Sequence, residues 1–283
     1  MAPREVLVVP VRLIATLLLL GLSISLSSAQ SDEELAAIFR RGDVNRMEDI
    51  ARTGDVRAET WLALMLQNRA RRTEAKEWWA KAAEKDNAWA IGSLAQMHHR
   101  DGEDEEAATW LRLGAEAGHP SLQIRFADVL LRGRGIEKDE RAAAHWLSAA
   151  AAQGDRHAYL PLAKLYASGS GIGPDPIEAY ALATIAEAIL SDSDFEREGE
   201  ARKLRERLTS ELTSEDRQAG LLRAHQIRAD LSELQSAKQN KHVVATTVLL
   251  AVFSTLLACL AVMGWLIWRL ARFLIGRLVG RPL

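Results

Sequence analysis

The stretch RGRGIEKDERAAAHWLSAAAAQGD, residues 132–155, sets Gly133 and Gly135 ahead of an alanine-dense run. A Gly-x-Gly before a helix is one part of a phosphate cradle, in which bare backbone amides and the helix N-terminus meet an anion. The other parts are missing, because no Gly-Lys-Ser/Thr closes the spacing and no strand-like run precedes it. His98 and His99 are adjacent, so on a helix they diverge by about 100° and cannot grip one metal from the same face. The acidic stretch SDSDFERE at 191–198 lacks the central glycine and terminal glutamate of a calcium loop and reads as an acid-rich helix start. Neither a Gly-x-Ser-x-Gly elbow nor a Ser-x-x-Lys with its partner motif is present. The glutamates, as in DGEDEE at 101–106, fall where solvated charge is expected. No catalytic residue, cofactor or metal site is predicted, and the chain is read as non-enzymatic. Gly133, Gly135, Gly169 and Gly171 are then connector residues that permit positive φ, and Asp139 and Asp175 cap the helices that follow them.

Those connectors sit inside a chain with three zones. Residues 1–29 carry Arg4 and Arg12, an apolar run from Leu13 to Leu26, and SSA at 27–29, the pattern of a secretory signal peptide. At the other end, Val243–Trp268 runs for 26 residues without a charge. As a helix it would reach roughly 39 Å, enough to cross a hydrocarbon core of about 30 Å with tilt. Trp265 and Trp268 mark its interfacial end. Arg269, Arg272, Arg277 and Arg281 follow without an acid, so the tail 269–283 is expected on the cytoplasmic side, against anionic lipid. Both ends place the middle of the chain outside the cytoplasm. That middle holds 30 basic and 37 acidic residues once the six basic residues and one acid of the ends are set aside, which argues against nucleic acid. The single cysteine, Cys259, lies in the predicted membrane helix, so the exported part has no disulfide.

The middle zone repeats. Trp78, Trp110, Trp146 and Leu182 are separated by 32, 36 and 36 residues. Ala75, Ala107, Ala143 and Ala179 precede them by three positions, and Ala82, Gly114, Ala150 and Ala186 follow by four. Upstream recur the pairs Leu62-Ala63, Leu94-Ala95, Phe126-Ala127 and Leu162-Ala163. Spacings of three, four and seven put each set on one face of a helix. The first two units are four residues shorter between these blocks, and a length change belongs in a loop. Each unit is therefore an antiparallel helix pair whose small residues admit close backbones while the indole fills the space beside them. One pair cannot bury both its faces, so stacking is required.

The third unit, through Ala127, Gly133, Gly135, Ile136, Asp139, Ala143, Trp146, Ala150, Ala151 and Gly154, resembles the Sel-one-like repeat, a relative of the tetratricopeptide repeat with a glycine-containing connector. The fourth matches through Ala158, Leu162, Tyr166, Gly169, Gly171, Ile172, Asp175, Ala179 and Ala186, with Leu182 in place of the aromatic. The first two depart by their short connectors and by His98 where a tyrosine is usual. The predicted organisation is all-α. After the signal peptide come capping helices at 30–54, four repeats at 55–190 and closing helices with a stalk at 191–241, and a transmembrane helix at 243–268 precedes the basic tail. Ser31 and Glu34 have capping-box spacing at the start, and Thr213 or Ser214 caps an amphipathic closing helix.

The resemblance implies a solenoid whose concave face binds proteins or extended peptides, as an adaptor in a bacterial envelope. The expected location is a single pass through the inner membrane with the repeats in the periplasm. The alternative is a cell-wall enzyme, or its regulatory subunit, for which a buried unpaired glutamate in the groove would speak.

Overall fold

The computed structural model describes residues 32–190, 194–237 and 239–240. Among them all regular structure is helical. The predicted signal peptide, the Ser31 cap, the membrane helix at 243–268 with Trp265, Trp268, Arg269 and Arg272, and the basic tail lie outside the described residues. Among the described residues no helix is long and apolar enough to cross a membrane.

The chain divides into two units, Met1–Leu212 and Thr213–Leu283. The first is a succession of helical hairpins. A leading pair, α1 (32–41) and α2 (Val44–Ala51), precedes α3 (Val56–Asn68) with α4 (Arg72–Ala83) and α5 (Ala88–Asp101) with α6 (Asp104–Glu116). There follow α7 (Pro120–Arg132) with α8 (Glu140–Ala152), and α9 (Tyr159–Ser168), entered through a single 3-10 turn at Arg156–Ala158, with α10 (Pro176–Leu190). Helix α11 (Phe195–Glu211) closes the unit against α10. Each helix packs chiefly on its neighbours in sequence, the pattern of a solenoid.

Local chemistry starts these helices at matching places. The first helices of the hairpins begin after Asp55, Asn87, His119 and Asp155. Asp55, Asn87 and Asp155 accept backbone N–H bonds from Ala58, Ala90 and His157, while His119 relies on Pro120, whose fixed φ suits the first helical position. Asp139 caps α8 by accepting from the Ala142 amide, and Asp175 caps α10 by accepting from Ile177 and Glu178. In the second unit residues 214–237 are helical, and Thr213 and Asp216 cap each other reciprocally, Asp216 N–H donating to Thr213 Oγ1 at 3.1 Å.

The connectors differ in length as the repeat spacing predicts. Three residues join α3 to α4 and two join α5 to α6, against seven in each of the later hairpins. Gly133 and Gly169 end α7 and α9 in the left-handed conformation. Gly135 and Gly171 have a second duty that periodicity did not reveal. A Cβ on Gly135 would stand 2.1 Å from Asp104 O, and one on Gly171 would stand 2.3 Å from the Glu140 carbonyl carbon. Each long connector thus rests on the backbone at the start of the preceding hairpin's second helix.

The core is a ladder of small and large side chains. Ala58, Leu62, Ala63, Ala90, Leu94, Ala95, Leu122, Phe126, Ala127, Leu162 and Ala163 from the first helices are buried. So are Ala75, Trp78, Ala82, Ala107, Ala143, Ala150, Ala179, Leu182 and Ala186 from the second. Trp110, Trp146 and Tyr166 are half-buried. The residue after each repeat marker goes deep: Trp79, Leu111, Leu147 and Ala183 are 1%, 4%, 1% and 0% exposed. Trp110 and Trp146, expected to fill the space beside the small residues, are thus covered only in part. Adjacent helical positions differ by about 100°, and in WW, WL and WL either one could face inward. Trp146 instead lies edge-on to Phe126 with ring centres 6.0 Å apart.

Candidate interaction surface

Two of the first helices carry a buried, hydrogen-bonded polar side chain, Glu59 in α3 and Gln123 in α7. Gln123 Nε2 donates to the Ala115 carbonyl at 3.2 Å, and Gln153 Nε2 donates to Gln123 Oε1 at 3.0 Å. At the matching place Tyr159 donates its hydroxyl to the Ala151 carbonyl at 3.2 Å, and burial raises its pKa. Glu59 accepts from Lys85 Nζ at 2.6 Å, and the same ammonium donates to the Gly54 carbonyl at 3.0 Å. Among the described residues Glu59 Oε2 has no hydrogen-bond partner. This is the buried carboxylate that the enzyme alternative asked about, but it is ion-paired and lines none of the grooves described below.

A concavity of about 410 Å³ runs across the first helices α5, α7 and α9. A volume of this size suits a few side chains of a bound segment. On α7 the residues that turn away from the core, Ile124, Arg125, Asp128, Val129 and Arg132, form its floor. Ala95, Gln96 and His99 bound it on one side, and His157, Pro161 and Arg197 on the other.

Several polar side chains of the groove are paired with one another. Arg132 Nε meets Asp128 at 2.7 Å and His99 Nδ1 meets Asp104 at 2.5 Å. Arg197 Nε meets Asp194 at 3.4 Å, and its Nη1 lies 3.2 Å from His157 Nδ1. Arg125 stands apart. Its guanidinium lies over Gly92 of α5, where a Cβ would come within 2.5 Å of Nη1, and burial lowers its pKa.

His98 and His99 bond separate carboxylates, Glu103 at 2.6 Å and Asp104 at 2.5 Å. Among the described residues no three His, Cys, Asp or Glu side chains converge as metal ligands. The acids of 191–198 include the cap of α11, since Asp194 accepts from the Arg197 amide at 3.2 Å.

Periodicity marks the hairpin positions but not the groove, because Arg125 has no counterpart in the other repeats. A signal existed in Gly92. Glycine inside a helix costs about 1 kcal/mol relative to alanine, so it marks a place where something comes close.

The stacked hairpins, with a groove along their first helices and joints built from small residues, define an α-solenoid repeat protein. Residues 57–87, 94–119, 121–155 and 157–187 match the Sel1 repeat model. The four hairpins are Sel1 repeats. Among solved structures, the chain is similar to a protective antigen present in uropathogenic Escherichia coli strains that displays an SLR fold. The two are 26% identical with a TM-score of 0.60, over 75% of this chain and 50% of that one. It is also similar to a Sel1 repeat protein from Oxalobacter formigenes, at 27% identity and a TM-score of 0.49, over 57% of this chain and 48% of the other. The chain thus spans about half the length of each. Among curated proteins none matches it.

Proposed function

We propose that this chain is a membrane-tethered scaffold that presents its Sel1 repeats to the bacterial periplasm, where they bind a protein partner. The observation that carries the binding role is the groove across α5, α7 and α9, formed by helix faces that the stacking of hairpins leaves free. Sel1 repeats generally mediate protein–protein interaction. In this reading the repeats do no chemistry of their own; Glu59, the buried carboxylate, is held by Lys85 within its own repeat.

Tethering and export rest on the ends of the sequence. The run Leu13–Leu26 followed by SSA would direct export, and the 26 uncharged residues from Val243 to Trp268 would anchor the chain. Arg269, Arg272, Arg277 and Arg281 would hold the tail in the cytoplasm, on anionic lipid.

Two measurements test the reading. A reporter active only outside the cytoplasm should be silent when fused after Leu283 and active when fused after Asn240; the reverse pattern would overturn the topology. A photo-crosslinking residue at Ile124, in the groove, should yield discrete protein adducts in cells. Adducts formed equally from Lys81, on a second helix, would remove the groove from the binding role. Replacing residues 243–268 with an unrelated anchor should leave the crosslinks unchanged if function resides in the solenoid.

A further inference from the structure

Arg125 combines three properties rarely found together. It belongs to the floor of the concavity across α5, α7 and α9, its side chain is half-buried, and among the described residues its guanidinium has no hydrogen-bond or ion-pair partner. A guanidinium offers five N–H donors in a planar fork, and leaving them unmet away from water is costly. Nothing in the hairpin joints requires a cation at this place. The joint to the preceding hairpin is made by Gln123 donating to the Ala115 carbonyl and by small residues.

The site also makes room for this side chain. Gly92 lies in the middle of α5, one repeat upstream, and any side chain there would meet Arg125 Nη1. Charge in the groove leaves a surplus of the same sign. Asp128 is taken by Arg132 and Asp104 by His99. The side chain of Arg134, half-buried at the start of the long connector and also lining the groove, is like that of Arg125 without a partner among the described residues. Beside the cations, Ile124, Val129 and Pro161 supply apolar surface that is only partly covered.

We infer that this groove takes a peptide segment of a partner protein that sets a carboxylate on Arg125 and apolar side chains against Ile124, Val129 and Pro161. The inference rests on the scaffold reading and adds the chemistry of what the scaffold holds. A carboxylate matches the guanidinium fork with two parallel hydrogen bonds and restores the neutrality that the groove lacks. The apolar flank contributes contact area without discriminating by charge, so the arginine decides which segments are accepted.

The test is a selection of displayed random twelve-residue peptides on the full chain in detergent, repeated with Arg125→Gln, Arg125→Lys and Gly92→Ala. A thermal melt by circular dichroism accompanies each variant. The wild-type pool should be enriched in Asp or Glu at one position next to apolar residues. Synthetic versions of those peptides should bind the Arg125→Gln chain at least tenfold more weakly, and Arg125→Lys should recover part of the loss. Gly92→Ala, which keeps every charge but displaces the guanidinium, should also weaken them. A pool unchanged by Arg125→Gln in a chain that melts normally would overturn the carboxylate inference and leave the scaffold reading standing. A pool lacking acids, with vesicles containing phosphatidylglycerol bound in an Arg125-dependent way, would overturn it equally. Failure of the wild-type chain to enrich any peptide would remove both readings. If Arg125→Gln does not fold, the comparison of acidic peptides with their Asn or Gln counterparts on the wild-type chain decides, and equal binding of the two overturns the inference.

Discussion

The hairpins α3–α4 and α5–α6 are joined within themselves by three and two residues, and α7–α8 and α9–α10 by seven. The difference changes how neighbouring hairpins hold each other. In the later pair the connector reaches back onto the preceding unit, with Gly135 on Asp104 and Glu105 and Gly171 on Glu140 and Arg141. The early pair has no chain to spare for this contact. Charged side chains span the gap instead: Arg72 meets Asp101 at 2.5 Å and Lys76 meets Glu103 at 2.5 Å. Both pairs bridge 25 or more residues of sequence. One repeat type therefore uses two kinds of joint, backbone against glycine where the connector is long and ion pairs where it is short.

Substitutions separate the two. The greatest loss is expected from Trp79→Ala in the early half. That side chain is 1% exposed and donates Nε1–H to Gln67 at 3.1 Å, so about 3–5 kcal/mol should disappear in denaturant unfolding of the full chain. Trp146→Ala, at a half-buried position of the later half, should cost about 1–2 kcal/mol in the same measurement. Equal losses would show that the marker position, not the one after it, carries the packing.

Gly171→Ala should cost about 2–3 kcal/mol, because φ is +74° and a methyl group would meet Glu140 backbone at 2.3 Å. Gly102→Ala, in the short connector, has φ of +81° but nothing within 4 Å. Only the left-handed conformation is penalised there, by about 1 kcal/mol. Similar melting shifts for the two would deny the long connector its role as a joint.

Raising salt from low to about 0.5 M should weaken α3–α6 by about 1 kcal/mol and leave α7–α10 nearly unchanged, read as amide exchange by residue. A uniform response would remove the ion pairs from the account of the early joints.

The later half ends on a charged contact of its own, where Glu187 of α10 meets Arg205 of α11 at 2.6 Å and Arg202 at 3.2 Å. The hydrogen bond from Arg205 outweighs partial desolvation and lowers the Glu187 pKa. A lowered folded-state value means that this contribution is present above the unfolded carboxylate pKa of about 4.3 and is lost as pH falls through the folded one. Glu187→Gln should therefore lower stability modestly at neutral pH, and its difference from the wild-type chain should shrink as the pH is taken below about 4. A difference that stays constant through the acid range would detach the contact from ionisation of Glu187. The smallest effect is a gain. Ala70 holds φ of +59° in the α3–α4 connector, and Ala70→Gly should add about 0.5 kcal/mol in thermal unfolding.

Much of this architecture was legible because it is local. The caps Asp139 and Asp175 and the short and long connectors follow from residue type and spacing, which act within a few residues of themselves. The depth of Trp79 and Leu147 was not legible. Two large apolar residues in succession satisfy the same periodicity, and only the angle of the neighbouring helix chooses between them. Gly114 illustrates the same limit. It holds an alanine position in the repeat, but the crowding that excludes a methyl group, Leu122 Cδ1 at 2.2 Å, comes from the next hairpin.

The candidate site was less legible than the fold. Gly92 hinted at a close approach, but nothing local names Arg125 as the visitor 33 residues later. By itself the sequence determined the helices, their pairing and the number of repeats, since hydrogen bonding within a turn and apolar period need no knowledge of distant residues. Only the tertiary structure decided which of two adjacent side chains enters a joint, which glycines bear on a neighbour's backbone, and that Arg125 lies in the groove over Gly92. Those outcomes depend on contacts between hairpins, and such contacts exist only once the stack has formed.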